Sequence, residues 1–204
     1  PAEAAHLVTF GCMNDALKLS EVVLETWAWL LTRAPASRLL LKARALAFED
    51  VRARVLGTLA RCGVGAERVE LLRAAPSRAE HLAMYSRVDI ALDTFPYAGA
   101  TTTCEALYMG VPVITLAGDR HAGRLGVSIL GSAGLDGFVA ANRDEYVDLA
   151  LRWAEDTARL AELRRSLRAR LHASALCDGE RVARAIERAA REAYLRPAAQ
   201  ARGG

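Results

Sequence analysis

Short runs of apolar and β-branched residues alternate with longer amphipathic stretches over the first two thirds of the chain. Runs of this length, bounded by glycine, proline and polar residues, are typical of β-strands. Strands are predicted at Leu7–Phe10, Arg38–Lys42, Val69–Leu72, Val88–Asp93 and Val111–Leu116, with a weaker pattern at Gly137–Val139.

The stretches between these runs have the features of α-helices. After Ser20, which suits a helix N-cap, the apolar residues Val23, Trp27 and Leu30 recur three and four residues apart, so they share one helix face. After about residue 142 the pattern is helical only. Helices are predicted at Ser20–Arg33, Glu49–Cys62, Ser77–Tyr85, Thr103–Met109, Asn142–Asp156, Thr157–His172 and Asp178–Leu195.

Strands that alternate with helices need crossover connections, and these produce a parallel sheet. The runs Val88–Asp93 and Val111–Leu116 are mainly apolar without a strict alternation of apolar and polar residues, as expected of central strands buried on both faces. The sequence therefore predicts an α/β, Rossmann-like fold with about five or six parallel strands, helices on both faces and a helical C-terminal end. One domain is predicted over residues 1–195, and residues 196–204 are expected to form a flexible tail.

The composition is that of a folded protein and indicates no polymer or membrane partner. Of the 204 residues, 52% are hydrophobic and 25% are charged, which argues against disorder over most of the chain. The net charge of +3 is small and its signs are interspersed, whereas a nucleic-acid-binding protein usually has a concentrated basic face. No apolar run is long enough to span a membrane, and the start of the chain lacks the basic segment of a signal peptide.

The cysteines favour a reducing environment. They are far apart in sequence, and no C-x-x-C pair occurs. A chain of this size does not depend on disulfides, so we expect free thiols, a cytoplasmic location and no metal site. The four cysteines are Cys12, Cys62, Cys104 and Cys177. The sequence does not begin with Met, and we expect it to be part of a longer chain.

The segment after the fourth predicted strand is the most informative for function. The strand ends in Asp93, a turn with proline and glycine follows, and Thr101–Thr103 lead into the next helix. Ligands of open parallel sheets bind beyond the carboxyl ends of the strands. A helix N-terminus there offers free N–H groups to a phosphate, and Gly99 allows close approach to the backbone. The segment therefore has the parts of a diphosphate site.

The residues alone leave a purely structural interpretation open. Thr102 and Glu105 fit the Thr-x-x-Glu pattern of an ordinary capping box, and Asp93 can simply end a strand. Two common nucleotide motifs are absent, because the chain has no G-x-x-x-x-G-K-[ST] and its Gly63-Val64-Gly65 follows a helix rather than a strand. A P-loop NTPase and an ordinary NAD enzyme are therefore disfavoured.

Several stretches together resemble the carboxy-terminal catalytic lobe of O-linked N-acetylglucosamine transferases, particularly the bacterial and plant SPINDLY-like branch. The resemblance spans roughly residues 7 to 195, and the run from Asp93 to Leu116 is long enough to be specific. It is carried by Thr9–Gly11, Asn14, Lys18–Leu19, Glu80–Tyr85, Val88–Tyr97, Thr101–Leu107, Met109–Leu116, Gly118–Ala122 and Arg124.

This resemblance implies a specific reaction and specific partners. Members of the family have a tetratricopeptide array followed by two Rossmann-like lobes of GT-B type, of which this chain would be the second. The implied enzyme transfers N-acetylglucosamine from UDP-N-acetylglucosamine (UDP-GlcNAc) to Ser or Thr hydroxyls of a protein acceptor, with inversion and without metal or cofactor. One plant branch uses GDP-fucose. Separated from the N-terminal lobe and the repeats, the chain is expected to bind nucleotide at most.

The resemblance also implies roles around the diphosphate. Lys18 would be the catalytic residue, because it would pair with the donor diphosphate and stabilise the departing UDP. Asp15 stands where the family commonly has Asn or Gln, near the phosphates and the sugar. Thr101 and Thr102, together with Thr103, would contribute donors at the start of the helix.

Further roles concern the nucleoside and the edge of the site. By the same resemblance, Glu105 occupies the acidic position that holds the ribose hydroxyls, and His81 lies near the uracil with Arg78 beside it. His121 would line the edge of the donor site.

The sequence departs from the family pattern at the turn before the threonines. Tyr97-Ala98-Gly99-Ala100 replaces the usual Tyr-Asn-Gly-Gly or Tyr-Asn-Gly-His, although Gly99 and Ala100 still match donor-binding positions. A carboxylate at Asp15 would also repel a diphosphate. Two alternatives therefore stay open: a non-catalytic, degenerate Rossmann-like scaffold lobe, and a different GT-B enzyme such as a sugar-nucleotide epimerase.

Overall fold

The computed structural model describes residues 7–200, with side chains as far as Leu195. Its centre is a sheet of six parallel strands in the order β3-β2-β1-β4-β5-β6. The strands are β1 (Val8–Cys12), β2 (Ser37–Lys42), β3 (Val69–Leu72), β4 (Ile90–Leu92), β5 (Val113–Leu116) and β6 (Val139–Ala140). All six predicted strands are present, so the predicted Rossmann-like α/β fold is confirmed.

Eight α-helices connect and follow the strands within the described residues. They are α1 (Glu21–Arg33), α2 (Glu49–Arg61), α3 (Arg78–Ala83), α4 (Thr101–Tyr108), α5 (Leu125–Ser132), α6 (Arg143–Glu155), α7 (Thr157–His172) and α8 (Gly179–Gln200). No helix between residues 7 and 200 is long and apolar enough to cross a membrane.

The structure differs from the predicted helices in three places. Helix α4 begins at Thr101, two residues before the predicted start. Helix α5 was not predicted from periodicity, because it is short and contains two glycines. Helix α8 runs to Gln200 and so includes the first residues of the predicted tail; residues 201–204 lie outside the described part of the chain.

Helices cover both faces of the sheet. Helix α1 packs against α2 and α6, whereas α4 packs against α5 and α7. This division follows from right-handed crossovers, because the chain moves from β1 outward to β3 and then returns to build β4, β5 and β6 on the other side. The reversal lies between the adjacent strands β1 and β4, and their carboxyl ends border the crevice in which such folds bind ligands.

The core is continuous on both sides of this reversal. Phe10 of β1 and Ile90 of β4 are fully buried and paired in register. Trp27 of α1 donates from its indole nitrogen to the hydroxyl of Tyr146 at 3.3 Å, and Tyr146 donates to the main-chain oxygen of Asp93 at 2.9 Å. These buried hydrogen bonds thus connect the carboxyl end of β4 to helices α1 and α6.

Helix α5 approaches the same strand end closely at Gly126. A Cβ atom at this position would overlap the side chain of Thr115 and lie 2.9 Å from Oδ2 of Asp93. Gly57, in the middle of α2, has open space around the equivalent atom.

We expect Gly126→Ala to lower the free energy of unfolding by ~2 kcal/mol, because the added methyl group overpacks a buried contact. Gly57→Ala is the matched control, and it should raise stability by about 0.5–1 kcal/mol, since alanine is the better helix former. Urea denaturation of both variants measures the difference. Equal stability of the two variants would contradict the close packing of α5 on β5.

Candidate functional site

The loops after β1 and β4 are joined by one buried amide. Asn14 donates from Nδ2 to Oδ1 of Asp93 and to the hydroxyl of Thr94, both at 3.2 Å. Its Oδ1 accepts a hydrogen bond of 2.6 Å from the hydroxyl of Thr102. Asn14 therefore connects the first loop both to the end of β4 and to the first turn of α4.

Asp93 organises the turn that leads into α4. It is 2% exposed and accepts hydrogen bonds from the main-chain N–H groups of Thr94 (2.9 Å) and Gly99 (2.6 Å). Its second oxygen accepts from the hydroxyl of Thr115 at 2.8 Å. Burial raises the pKa of Asp93 from 3.8 to about 6, although these hydrogen bonds and the one from Asn14 oppose the increase.

The predicted catalytic residue Lys18 lies beside this turn. It ends a short 3-10 helix, Ala16–Lys18, which Asp15 caps by accepting a hydrogen bond of 2.9 Å from the N–H of Leu17. The ammonium group of Lys18 donates to the main-chain oxygen of Ala98 at 2.9 Å and lies 4.0 Å above the centre of the Tyr97 ring. These contacts hold the ammonium group of Lys18 against the turn at Ala98, three residues before the start of α4.

No side chain caps the first turn of α4. Ala100 is the N-cap residue and offers no side-chain acceptor. The capping box that Thr102 and Glu105 can form by their spacing is not made, because the helix begins at Thr101 and Thr102 lies inside it rather than at the N-cap. Thr102 bonds instead to Asn14, and Glu105 bonds to His81. The N–H groups of this turn therefore point to the crevice without a side-chain partner in the described structure, and such a turn attracts anions.

The three threonines differ in exposure. Thr101 is exposed and Thr102 is half-buried, so both border the crevice. Thr103 is only 2% exposed. A Cβ atom at Gly99 would lie 2.8 Å from the hydroxyls of Thr102 and Thr103, so only glycine fits this closely packed turn. Because the N–H of Gly99 is bonded to Asp93, Gly99 contributes space rather than a donor.

A second polar cluster lies one turn further along α4. Nε2 of His81 lies 2.9 Å from Oε2 of Glu105, and Nδ1 of His81 lies 2.8 Å from Nζ of Lys42, the last residue of β2. The side chains of His81 and Glu105 are 16% and 15% exposed. Burial lowers the pKa of Lys42, and the nearby carboxylate of Glu105 opposes this effect. The ring of Tyr85 packs edge-on against His81.

The remaining predicted residues lie at the margins. Arg78 is exposed at the first position of α3, one turn before His81. His121 is exposed in the 3-10 turn after β5, and this loop joins the site where the N–H of Ala98 donates to Ala122 at 3.0 Å. The structure records no hydrogen bond from the side chains of Arg78 or His121 to another described residue.

Lys42 was not predicted to contribute to the site, although a lysine that closes an apolar strand at the carboxyl edge of a parallel sheet is a usable signal. Asn14 was identified only as one of the residues that carry the family resemblance, and its hydrogen bonds to residues about eighty positions away were not predicted. Within residues 7–200, no three His, Cys, Asp or Glu side chains are arranged to hold a metal ion.

The fold and the crevice define a Rossmann-like lobe of GT-B type, with polar groups gathered where the strand order reverses. Residues 2–186 match glycosyl transferase family 41, and the chain belongs to this family. The resemblance predicted from the motifs is therefore confirmed.

Sequence relatives and solved structures agree with this assignment. The chain is 45% identical over 196 residues to a tomato (Solanum lycopersicum) protein named probable UDP-N-acetylglucosamine–peptide N-acetylglucosaminyltransferase SPINDLY. The aligned region covers 96% of this chain and 21% of the tomato protein. It is 41% identical to a mutant O-GlcNAc transferase of Thermobaculum terrenum, with a TM-score of 0.86 over 91% of this chain and 35% of that one.

A more distant structure shows the fold alone. Sucrose-phosphate synthase of Thermosynechococcus elongatus is 19% identical, with a TM-score of 0.63 over 92% of this chain and 45% of that one. The chain spans about a fifth of the length of the curated relatives it matches.

The buried carboxyl of Asp93 makes stability depend on pH. Because its pKa is higher in the folded protein, protonation stabilises the fold below about pH 3.8, and this contribution is lost as the pH rises through about 6. At ~1.36 kcal/mol per pKa unit the loss is about 3 kcal/mol. The free energy of unfolding of Asp93→Asn minus that of the native chain should therefore increase by about this amount when the pH is raised from about 4 to about 7. Urea denaturation across this range measures the gain.

Asp148→Asn is the matched control for this experiment. Asp148 is half-exposed and pairs with Arg33 at the surface, at 2.8 Å. Because an exposed ion pair contributes little to stability, Asp148→Asn should change the free energy of unfolding by less than ~1 kcal/mol. If the difference in free energy of unfolding between Asp93→Asn and the native chain stays constant across the range, the pKa of Asp93 is not raised in the folded protein.

Proposed function

We propose that this chain is the donor-binding lobe of a protein O-GlcNAc transferase-like enzyme, which transfers N-acetylglucosamine from UDP-GlcNAc to Ser or Thr hydroxyls with inversion. The observation that carries the proposal is the pairing of Lys18 with the uncapped first turn of α4 at the reversal of strand order. Family membership supports it, as do the names of the sequence relatives.

The leaving diphosphate presents the main electrostatic demand of this reaction. Negative charge grows on the diphosphate as its bond to the sugar breaks. The ammonium of Lys18 and the N–H groups of Thr101 and Thr102 would meet that charge with donors that are already in place. Interactions that strengthen in the transition state lower the barrier rather than only bind the donor. In the proposed mechanism Lys18 is therefore the catalytic residue, and no metal takes part.

The departures from the family pattern are compatible with this function. The carboxylate of Asp15 is turned onto its own loop, where it accepts from Leu17. Asp15 is also exposed, so solvent and salt screen its charge from a diphosphate. Ala98 lacks an amide side chain, but its main-chain oxygen holds Lys18. The turn thus positions the cation through backbone atoms, which the side-chain replacement leaves in place.

The nucleoside would lie along α4 from the diphosphate. Glu105 follows Thr102 by three residues, so both side chains lie on the same face of the helix. The carboxylate of Glu105 would accept hydrogen bonds from the ribose hydroxyls, and His81 would contact the base. Arg78 and His121 would border the ligand at its two ends.

The acceptor and the other partners are part of the same proposal. A protein hydroxyl would approach from an N-terminal Rossmann-like lobe, and tetratricopeptide repeats would present the acceptor protein. A cytoplasmic location is supported by the four cysteines, which are all unpaired within the described residues.

Calorimetric titration with UDP and with GDP tests the proposal directly. We expect the native chain to bind one of them, and Lys18→Met to weaken that binding at least tenfold, because a charge-assisted contact to the diphosphate is lost. Arg188→Met is the control, since Arg188 is exposed on α8, and it should bind like the native chain.

Three outcomes would contradict the proposal. Absence of heat with either nucleotide at millimolar concentration would favour the non-catalytic scaffold lobe. Binding that survives Lys18→Met unchanged would show that the ammonium does not contact the diphosphate. With the N-terminal lobe present, turnover of UDP-GlcNAc without a protein acceptor would instead favour a different GT-B enzyme.

A further inference from the structure

Three side chains from three separate elements form a linear hydrogen-bonded chain in the nucleoside half of the crevice. Lys42 closes β2, His81 lies in α3 and Glu105 lies in α4. The distances are 2.8 Å from Lys42 Nζ to His81 Nδ1 and 2.9 Å from His81 Nε2 to Glu105 Oε2. Since these residues are far apart in sequence, the folded sheet is what brings them together.

The chemistry of the two ends determines the state of the ring. A lysine ammonium group can only donate, so Nδ1 of His81 must accept from Lys42. The ring proton of a neutral imidazole then belongs on Nε2, from which it donates to the carboxylate of Glu105. A second proton on Nδ1 would point directly at the ammonium group. The arrangement therefore selects the neutral Nε2–H form of His81.

The packing around the ring leaves this hydrogen-bonded arrangement little freedom. Tyr85 contacts the ring edge-on, at 5.7 Å between centroids, and its own hydroxyl donates to the main-chain oxygen of Thr102 at 3.2 Å. The other charged group near Lys42 is Arg44, which is exposed. Rotation of the His81 ring would break two hydrogen bonds and one aromatic contact, so the ring and the carboxylate are held together.

We infer that Lys42 is a positioning residue for nucleoside recognition. It fixes His81 in the Nε2–H form, and through His81 it holds the carboxylate of Glu105 at the orientation in which the remaining lone pairs of that group face the crevice. This inference rests on the proposed function, since it assumes that Glu105 and His81 meet the ribose and base of a nucleoside diphosphate.

Lys42 also balances charge in this half of the site. Its ammonium and the carboxylate of Glu105 flank the neutral imidazole, so the cluster has no net charge. A nucleoside is likewise uncharged, whereas its diphosphate is anionic and would bind beside Lys18. Removal of the Lys42 charge would leave a partly buried carboxylate next to the diphosphate, where like charges repel.

The first measurement is made without nucleotide. Long-range 1H–15N spectra of the 15N-labelled chain, at a pH above the ordinary histidine range, report which ring nitrogen of His81 carries the proton; His81→Gln assigns the signal. We expect the Nε2–H form in the native chain and in Lys42→Arg, because a guanidinium also only donates. Lys42→Met should shift the Nδ1 signal of His81, because this nitrogen loses its hydrogen-bond donor whereas Nε2 keeps its acceptor. Arg44→Met, the matched control, should leave both ring-nitrogen signals as they are in the native chain.

The second measurement is the affinity of the same variants for UDP and GDP. We expect Lys42→Met to bind the preferred nucleotide about tenfold more weakly, Lys42→Arg to restore most of the affinity, and Arg44→Met to bind like the native chain. Lys42→Leu is a second neutral variant, for use if Lys42→Met does not fold, and it should give the same results.

The outcomes separate this inference from the function on which it rests. A Lys42→Met chain with the native His81 spectrum, or with native affinity for the nucleotide, overturns the role of Lys42 and leaves the proposed function standing. A native chain that binds neither UDP nor GDP overturns the proposed function and the nucleoside role together. Altered spectra with weakened binding, both restored by arginine, support the inference.

Discussion

The hydrogen bonds of Asp93 and Asn14 position the loops that carry Lys18 and the first turn of α4. The carboxyl group of Asp93 is buried at the carboxyl end of β4, and its burial is tolerated because four hydrogen-bond donors converge on it. One of those donors is the N–H of Gly99, so this hydrogen bond holds the loop after β4 against the end of the strand. Asn14 then extends the same network to the loop after β1 and to Thr102. Without this network, Lys18 and α4 would have no common support.

Helix α4 links the two halves of the site. Its first turn borders the place proposed for the diphosphate, and Glu105, one turn later, borders the place proposed for the nucleoside. The spacing between these groups is set by helical geometry alone, at ~1.5 Å per residue. Side chains from other elements reach each half separately: Lys18 and Asn14 from the β1 loop, and Lys42 and His81 from β2 and α3. The helix therefore sets the distance between the proposed diphosphate contacts and the proposed nucleoside contacts, although the other side chains of each set come from different elements.

The sequence allowed prediction of the features that depend on local signals. Strand runs, helix periodicity and the turn after Asp93 are encoded within a few residues, and the predicted strands correspond to those observed. The Thr102–Glu105 spacing illustrates the limit of such signals. It fits a capping box, yet the helix begins at Thr101, so Thr102 lies inside the first turn and both side chains bond to partners in other elements. Lys42 was missed for the same reason, since its partner His81 lies 39 positions away. Helix α5 was missed because glycine weakens the helical pattern where close packing on β5 requires it.

The distribution of charge across the crevice gives the proposed ligand a direction. Lys18 contacts a carbonyl oxygen and an aromatic ring, neither of which neutralises an ammonium group. The positive end of the α4 dipole lies beside it, and the nearby carboxyl of Asp93 is buried and enclosed by donors. In the other half, Lys42 and Glu105 compensate each other across His81. An anionic group is therefore attracted to the Lys18 end, and a neutral polar group suits the Glu105 end. A nucleoside diphosphate has this same asymmetry, so electrostatics alone would select one of its two orientations along α4.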